Sequence, residues 1–172
     1  FMPIFEMDGF VEKLDRYVYL ETLEFMRATV EKGHRICPIS VNVSRVTALQ
    51  PDFLYFYIEN KRKYNIADGY LVIEFTESFA FDNNEQLRRI VTQLRENGIK
   101  CSIDDFGVGY SSYSILKELP MDEIKLDAFF IRKGFDAKRD EKTLRSIIRL
   151  GQDLGMKVTQ EGVESPADKQ RI

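Results

Sequence analysis

The sequence predicts an α/β fold: a TIM-type (β/α)8 barrel, present as about five to six βα units of one incomplete domain, residues 1–172. Three observations carry this. Short β-prone runs alternate with amphipathic helical stretches, with strand starts roughly two to three dozen residues apart, the rhythm of βαβ units and a parallel sheet. No Gly-rich dinucleotide fingerprint opens the first unit, which disfavours a doubly wound nucleotide-binding sheet. Each strand carries a polar group toward its C-terminal end, the face on which barrels place their sites. A whole barrel takes ~250 residues, so 172 residues correspond to about two-thirds of one. A start at Phe1-Met2-Pro3-Ile4 and a stop at Arg171-Ile172 fit a segment cut from a longer chain.

The elements follow in order. Glu12 to Lys32 reads as a helix, with Leu14, Tyr17, Val18, Phe25 and Ala28 on its inner face and Gly33 ending it. Ile36 to Val43 is a strand with Asn42 inside it. Asp52 opens a helix with Phe53, Leu54, Tyr57 and Ile58 inward, and Asp68-Gly69 marks a turn. Tyr70 to Thr76 is the second strand. Asn84 to Asn97 is a helix striped by Leu87, Ile90, Val91 and Leu94 and closed by Gly98. Ile99 to Asp104 is the third strand, followed by a helical turn from Ser112 to Glu118. Glu123 to Asp127 is the fourth strand. Asp140 to Leu154 is a helix with Leu144, Ile147, Ile148 and Leu154 inward, and Met156 to Gln160 is the fifth strand. Ser165-Pro166 reads as an N-cap followed by Pro at the first helical position.

Composition narrows the function classes. With 44% hydrophobic and 31% charged residues the chain is globular rather than disordered. A net charge of −3 argues against a sequence-independent nucleic-acid binder, which is usually basic. No apolar run is long enough to span a membrane and no signal-peptide pattern is seen in this segment; a cytoplasmic segment is expected, of a parent chain that other segments could anchor to a membrane. Cys37 and Cys101 lie in apolar runs and read as free buried thiols of a reducing compartment.

The polar residues then define a candidate site. The strands contribute Asn42, Glu74, Asp104 with Asp105, Lys125 with Asp127, and lead into Glu161 and Glu164. Parallel strands are normally continuous apolar runs, and an unpaired buried charge is costly. Acids, an amide and a lysine from five consecutive strands therefore point to one rim. Adjacent Asp104 and Asp105 repel, so a cation belongs beside them. Carboxylates plus an amide, without histidine, favour Mg²⁺ or Mn²⁺ over zinc. The only histidine, His34, reads as a surface residue. Two such ions support phosphodiester hydrolysis, in which Lys125 could hold the attacking water or neutralise phosphate. Lys125 also reads as an ion-pair partner of Asp104 or Glu161.

Five motifs in order resemble the EAL domain, a phosphodiesterase domain for cyclic di-GMP. They are Val41-Asn42-Val43-Ser44, Glu74-Phe75-Thr76-Glu77, Asp104 to Ser112, Ile124-Lys125-Leu126-Asp127 and Glu161-Gly162-Val163-Glu164. The resemblance implies that Asn42, Glu74 and Asp104 are metal ligands and that Asp105 serves a second metal. It implies that Lys125 and Glu161 attend the attacking water, and that Glu77 steadies the loop from Asp105 to Ser112, which also takes part in a homodimer contact. Asp127 and Glu164 are further rim acids. The implied activity is hydrolysis of cyclic di-GMP to linear pGpG in bacterial signalling, with sensor or cyclase-like domains elsewhere in the parent chain. A degenerate sensor that binds cyclic di-GMP or a protein partner without catalysis, and an unrelated aldolase- or enolase-type barrel, are the competing readings. The Glu-Ala-Leu signature is absent, as is the closing part of the barrel, so the segment alone is expected to be weak or inactive. Val108 replaces the usual threonine, and Thr159-Gln160 stand where the pattern commonly has small or apolar residues.

Overall fold

In a computed structural model describing residues 9–108, 113–131 and 137–170, five strands follow one another in the sheet as they do in the chain. They are β1 (Ile39–Asn42), β2 (Leu71–Thr76), β3 (Lys100–Phe106), β4 (Glu123–Leu126) and β5 (Lys157–Gln160). β1 runs parallel to β2, β3 to β4, and β4 to β5. A doubly wound sheet reverses its strand order at a switch point. This sheet does not reverse, as expected of a barrel wall. Each strand is one to four residues shorter than the sequence predicts, except β3, which runs on through Asp105 to Phe106. The chain groups into two compact units, residues up to 75 with 89–101, and residues 76–88 with 102 onward.

In the first unit, α1 (Phe10–Glu31) buries Val11, Asp15, Tyr19, Leu23 and Met26. This corrects the predicted inner face: Tyr17 and Phe25 are each 61% exposed and Val18 is 43% exposed. The helix has apolar residues on two sides, and periodicity alone does not choose between them. Contact with α3 (Phe53–Lys63) decides it. Tyr19 stacks 4.2 Å from Tyr57, which lies 4.4 Å from Phe53, and the Tyr19 hydroxyl donates to the Tyr57 carbonyl. Burial pushes both tyrosine phenols well above their ordinary pKa. Asp15 earns its burial by accepting from the Ser44 amide at 2.9 Å and the Thr47 hydroxyl at 2.6 Å. That network anchors the start of α2 (Arg45–Ala48), whose N-cap is Ser44. Asp52 precedes α3 but makes no side-chain cap; its carboxylate takes both guanidinium nitrogens of Arg16 instead. Cys37 is exposed, contrary to the sequence reading, because it precedes β1 rather than lying in it; Cys101 is buried as expected. His34 is exposed.

In the second unit, an unpredicted helix, α4 (Glu77–Asp82), begins at once after β2, with the Thr76 side chain accepting from the Phe79 amide. Its Glu77, Phe79 and Ala80 are buried. The following α5 (Asn84–Glu96), which begins in this unit and from residue 89 on belongs to the first, carries the predicted stripe, with Leu87, Ile90, Val91 and Leu94 all buried. Further on lie α6 (Tyr113–Glu118), the 3₁₀ turn Ala128–Phe130 and α7 (Ala137–Asp153). α7 buries Leu144, while Leu154, predicted inward, falls just past the helix and is 44% exposed. Gly151 lets α7 approach the sheet: a Cβ there would meet Val158 at 2.7 Å. The last helix, α8 (Pro166–Lys169), starts as predicted, with Ser165 and Asp168 forming a capping box and Pro at the first position. Among the described residues no helix is long and apolar enough to cross a membrane.

Candidate metal centre

Asp104 and Asp105 are neighbours on β3, and regular pleating would send their side chains to opposite faces. A register shift prevents this. Ile103 pairs with Ile124 but Phe106 pairs with Leu126, so β3 carries one extra residue at the two aspartates. Asp105 takes up the irregularity with φ 55, a left-handed conformation that Asp tolerates better than most residues. As a result Asp104, Asp105 and Glu161 each offer a carboxylate oxygen within 4.8 Å of the others. Crowding leaves its mark on Asp105. Its carboxyl is held above the ordinary carboxylate range, first by burial, then by the charges of Asp104, Asp127 and Glu161, with Lys125 opposing them.

Lys125, from β4, stands between the acids. Its Nζ lies 2.8 Å from Glu161 Oε1 and 3.5 Å from Asp104 Oδ1, so both partners foreseen for it are in reach. One ammonium among Asp104, Asp105 and Glu161 leaves the cluster net negative. All the clustered donors are carboxylate oxygens, a hard set of the kind that divalent cations take.

The loop leaving β3 is fastened by Glu77, whose Oε2 accepts from the Gly107 amide at 2.9 Å. Gly107 has φ 103, and a Cβ on it would lie 2.1 Å from the Phe130 ring, so only glycine fits. Asp127 caps the 3₁₀ turn, accepting from the Phe129 amide at 2.6 Å. Glu164 is exposed and stands outside the three-carboxylate group. Residues 109–112 of the predicted loop lie outside the described residues.

In the first unit, Asn42 and Glu74 are register partners at the ends of β1 and β2, and the Glu74 carbonyl accepts from the Val43 amide. Asn42 is exposed, whereas Glu74 is only 3% exposed, flanked in β2 by the apolar Ile73 and Phe75.

Sequence reasoning assigned nothing to Gln160. Its side-chain nitrogen lies 3.1, 3.0 and 3.0 Å from the carbonyl oxygens of Leu126, Asp127 and Glu161. A polar residue where the family pattern has a small or apolar one was the available signal.

A parallel α/β sheet with Asp104 and Asp105 near the end of β3 and Glu161 just past β5 defines an α/β domain with an acid cluster that could hold a metal ion. Comparison with known proteins gives the family. A model of the EAL domain matches residues 1–172, and the chain belongs to the EAL domain family. It is 31% identical over 172 residues to signaling protein YkoW of Bacillus subtilis, covering all of this chain and 21% of YkoW. It is 32% identical over 170 residues to MucR of Pseudomonas aeruginosa, named a bifunctional diguanylate cyclase/cyclic di-GMP phosphodiesterase, covering 99% of this chain and 25% of MucR. The chain thus spans about a fifth to a quarter of these relatives. The structure of the MucR phosphodiesterase in complex with c-di-GMP superposes with a TM-score of 0.90 at 32% identity, over 99% of this chain and 69% of that one. A FimX EAL domain, at 21% identity, shares the fold with a TM-score of 0.87 over 95% of this chain and 65% of that one. The five strands and their helices therefore represent part of a (β/α)8 barrel.

Proposed function

We propose that the protein to which this chain belongs hydrolyses one phosphodiester of cyclic di-GMP, giving linear pGpG, with Mg²⁺ or Mn²⁺. The observation that carries the reading is the trio Asp104, Asp105 and Glu161, with oxygens within 4.8 Å of one another and Lys125 beside them. In an EAL-family chain that trio has an obvious task. The resemblance adds Asn42 and Glu74 to the ligand set. A divalent ion held there would lower the pKa of water and neutralise charge on the phosphodiester. Lys125, between Asp104 and Glu161, orients the attacking water and adds positive charge on the phosphate side. Glu161 accepts a proton from that water, and Glu77 keeps the Asp105 loop in place through Gly107.

The wider assignments rest on the same kinship. Sensor or cyclase-like domains in the parent chain agree with relatives four to five times longer, by the covered shares. A homodimer contact through the loop after Asp105 agrees with Val108 being 63% exposed. Asp127 and Glu164 are assigned to the rim and a cytoplasmic location to the segment.

The test is incubation of the full-length protein with cyclic di-GMP and Mg²⁺ or Mn²⁺, with chromatography of the products. Linear dinucleotide is expected, and Glu74→Ala should lower its formation by ~10²-fold or more, as for other electrostatic elements of a site. Binding of cyclic di-GMP with no turnover would overturn the enzyme reading in favour of a non-catalytic sensor.

A further inference from the structure

The end of β5 needs a physical account that the ligand set does not supply. Glu161 lies one residue past β5, which among the described residues pairs with β4 alone. Its amide still donates to the Leu126 carbonyl at 2.9 Å, extending the ladder by one step. The next residue, Gly162, has φ 71 and sits so close to Ala128 that a Cβ would fall 2.4 Å from the Ala128 Cβ. Between these two features lies the Gln160 amide nitrogen, within 3.1 Å of the carbonyls of Leu126, Asp127 and Glu161. One donor group thereby spans the last residue of β4, the residue that caps the 3₁₀ turn, and the carbonyl of Glu161 itself. The Gln160 Oε1 is buried with no hydrogen-bond partner among the described residues. An apolar side chain would avoid that penalty. What the amide offers in return is its donor.

We infer that Gln160 is a positioning residue: its side-chain nitrogen clamps the ends of β4 and β5 together and so fixes where the Glu161 carboxylate meets Lys125 and the paired aspartates. The inference rests on the reading of that cluster as a metal centre. A small or apolar residue in this place would lack the clamp. Three carbonyl oxygens share the two protons of one NH₂ group, so the loss of that group frees all three at once.

Two measurements on the full chain test this. In Gln160→Ala, amide hydrogen exchange of the segments 127–128 and 161–162 should rise, while that of β2 stays as in wild type. Thr159→Val, which removes the neighbouring hydroxyl that donates to Glu123, should leave exchange at 161–162 unchanged. Mn²⁺ affinity, read by titration without substrate, should fall by about tenfold in Gln160→Ala, the lower end of effects for groups that support metal ligands. Gln160→Glu, which sets a carboxylate against three carbonyls, should fall further. Unchanged exchange in Gln160→Ala would overturn the clamp. Faster exchange with unchanged Mn²⁺ affinity would make it structural only and overturn the positioning role. A wild-type chain that takes up no Mn²⁺ would overturn the metal reading instead, and the clamp would then stand or fall on the exchange data.

Discussion

The two units use their charged residues in opposite ways. In the first, apart from Glu74 of the proposed ligand set, the charges of Asp15, Lys61 and Arg16 have partners that serve folding. Asp15 holds the Ser44 amide and the Thr47 hydroxyl, the 95%-buried Lys61 meets Asp68, and Arg16 meets Asp52. In the second, Asp104, Asp105 and Glu161 crowd together around one lysine. Pairing lowers the energy of the folded chain by itself, whereas crowding raises it until a cation arrives. On the proposed function, the difference separates residues that make the fold from residues that the fold holds in place for chemistry. Substitutions in the two sets of residues should therefore part company, stability falling with the paired charges and activity with the crowded ones.

The largest effect belongs to Asp15→Ala. Two hydrogen bonds to a buried carboxylate would be lost, leaving the Ser44 amide and Thr47 hydroxyl to find other partners. A stability loss of about 3 kcal/mol follows from ~1.5–3 kcal/mol for each charged hydrogen bond, read by urea unfolding of the full chain. A loss well under 1 kcal/mol would mean that the network is bystander geometry and would blur the contrast between the units.

Asp105→Asn should do the reverse. Metal-dependent turnover is expected to drop by ~10²-fold or more. In metal-free buffer, stability should hold or rise by up to ~1 kcal/mol, because Asn removes one of the crowded charges and accepts a left-handed φ as readily as Asp. Comparison of urea midpoints with EDTA present checks this. A marked loss of stability would show that Asp105 serves the fold, and the division drawn above would fail there.

How far this division was legible in the sequence depends on the residue. The alternation of elements and the α5 stripe were readable, because both depend on local periodicity. The inner face of α1 was not: Tyr17 and Phe25 have the spacing of a core face, and only packing of Tyr19 on Tyr57 shows which side is covered. The acids of the rim could be nominated from their places at strand ends. How adjacent Asp104 and Asp105 both reach one centre could not, because a bulge depends on pairing with β4 and leaves no local pattern. Gln160 went unassigned for the same reason, since its partners include carbonyls 33 and 34 residues away.

The smallest effect tests the pairing logic of the first unit through pH. Hydrogen bonding to Arg16 holds the Asp52 carboxyl below its ordinary range, outweighing a small opposing effect of burial. A depressed folded-state pKa means that the unfolded chain binds the proton more readily. The Asp52 contribution is therefore fully present above the unfolded value of about 3.9 and disappears as pH falls through the lower folded value. Wild type and Asp52→Asn should thus differ in stability at neutral pH, with the gap closing in acid below that value. Because Asp52 is exposed, salt should narrow the gap at neutral pH as well. A gap that persists unchanged into acid would show that it does not arise from the Asp52 charge, and no gap at neutral pH would show that Asn keeps the useful hydrogen bond to Arg16 and that charge contributes nothing. Arg16 would then join the residues that pack, its guanidinium lying 4.5 Å from the Phe56 ring centre, rather than those that pair.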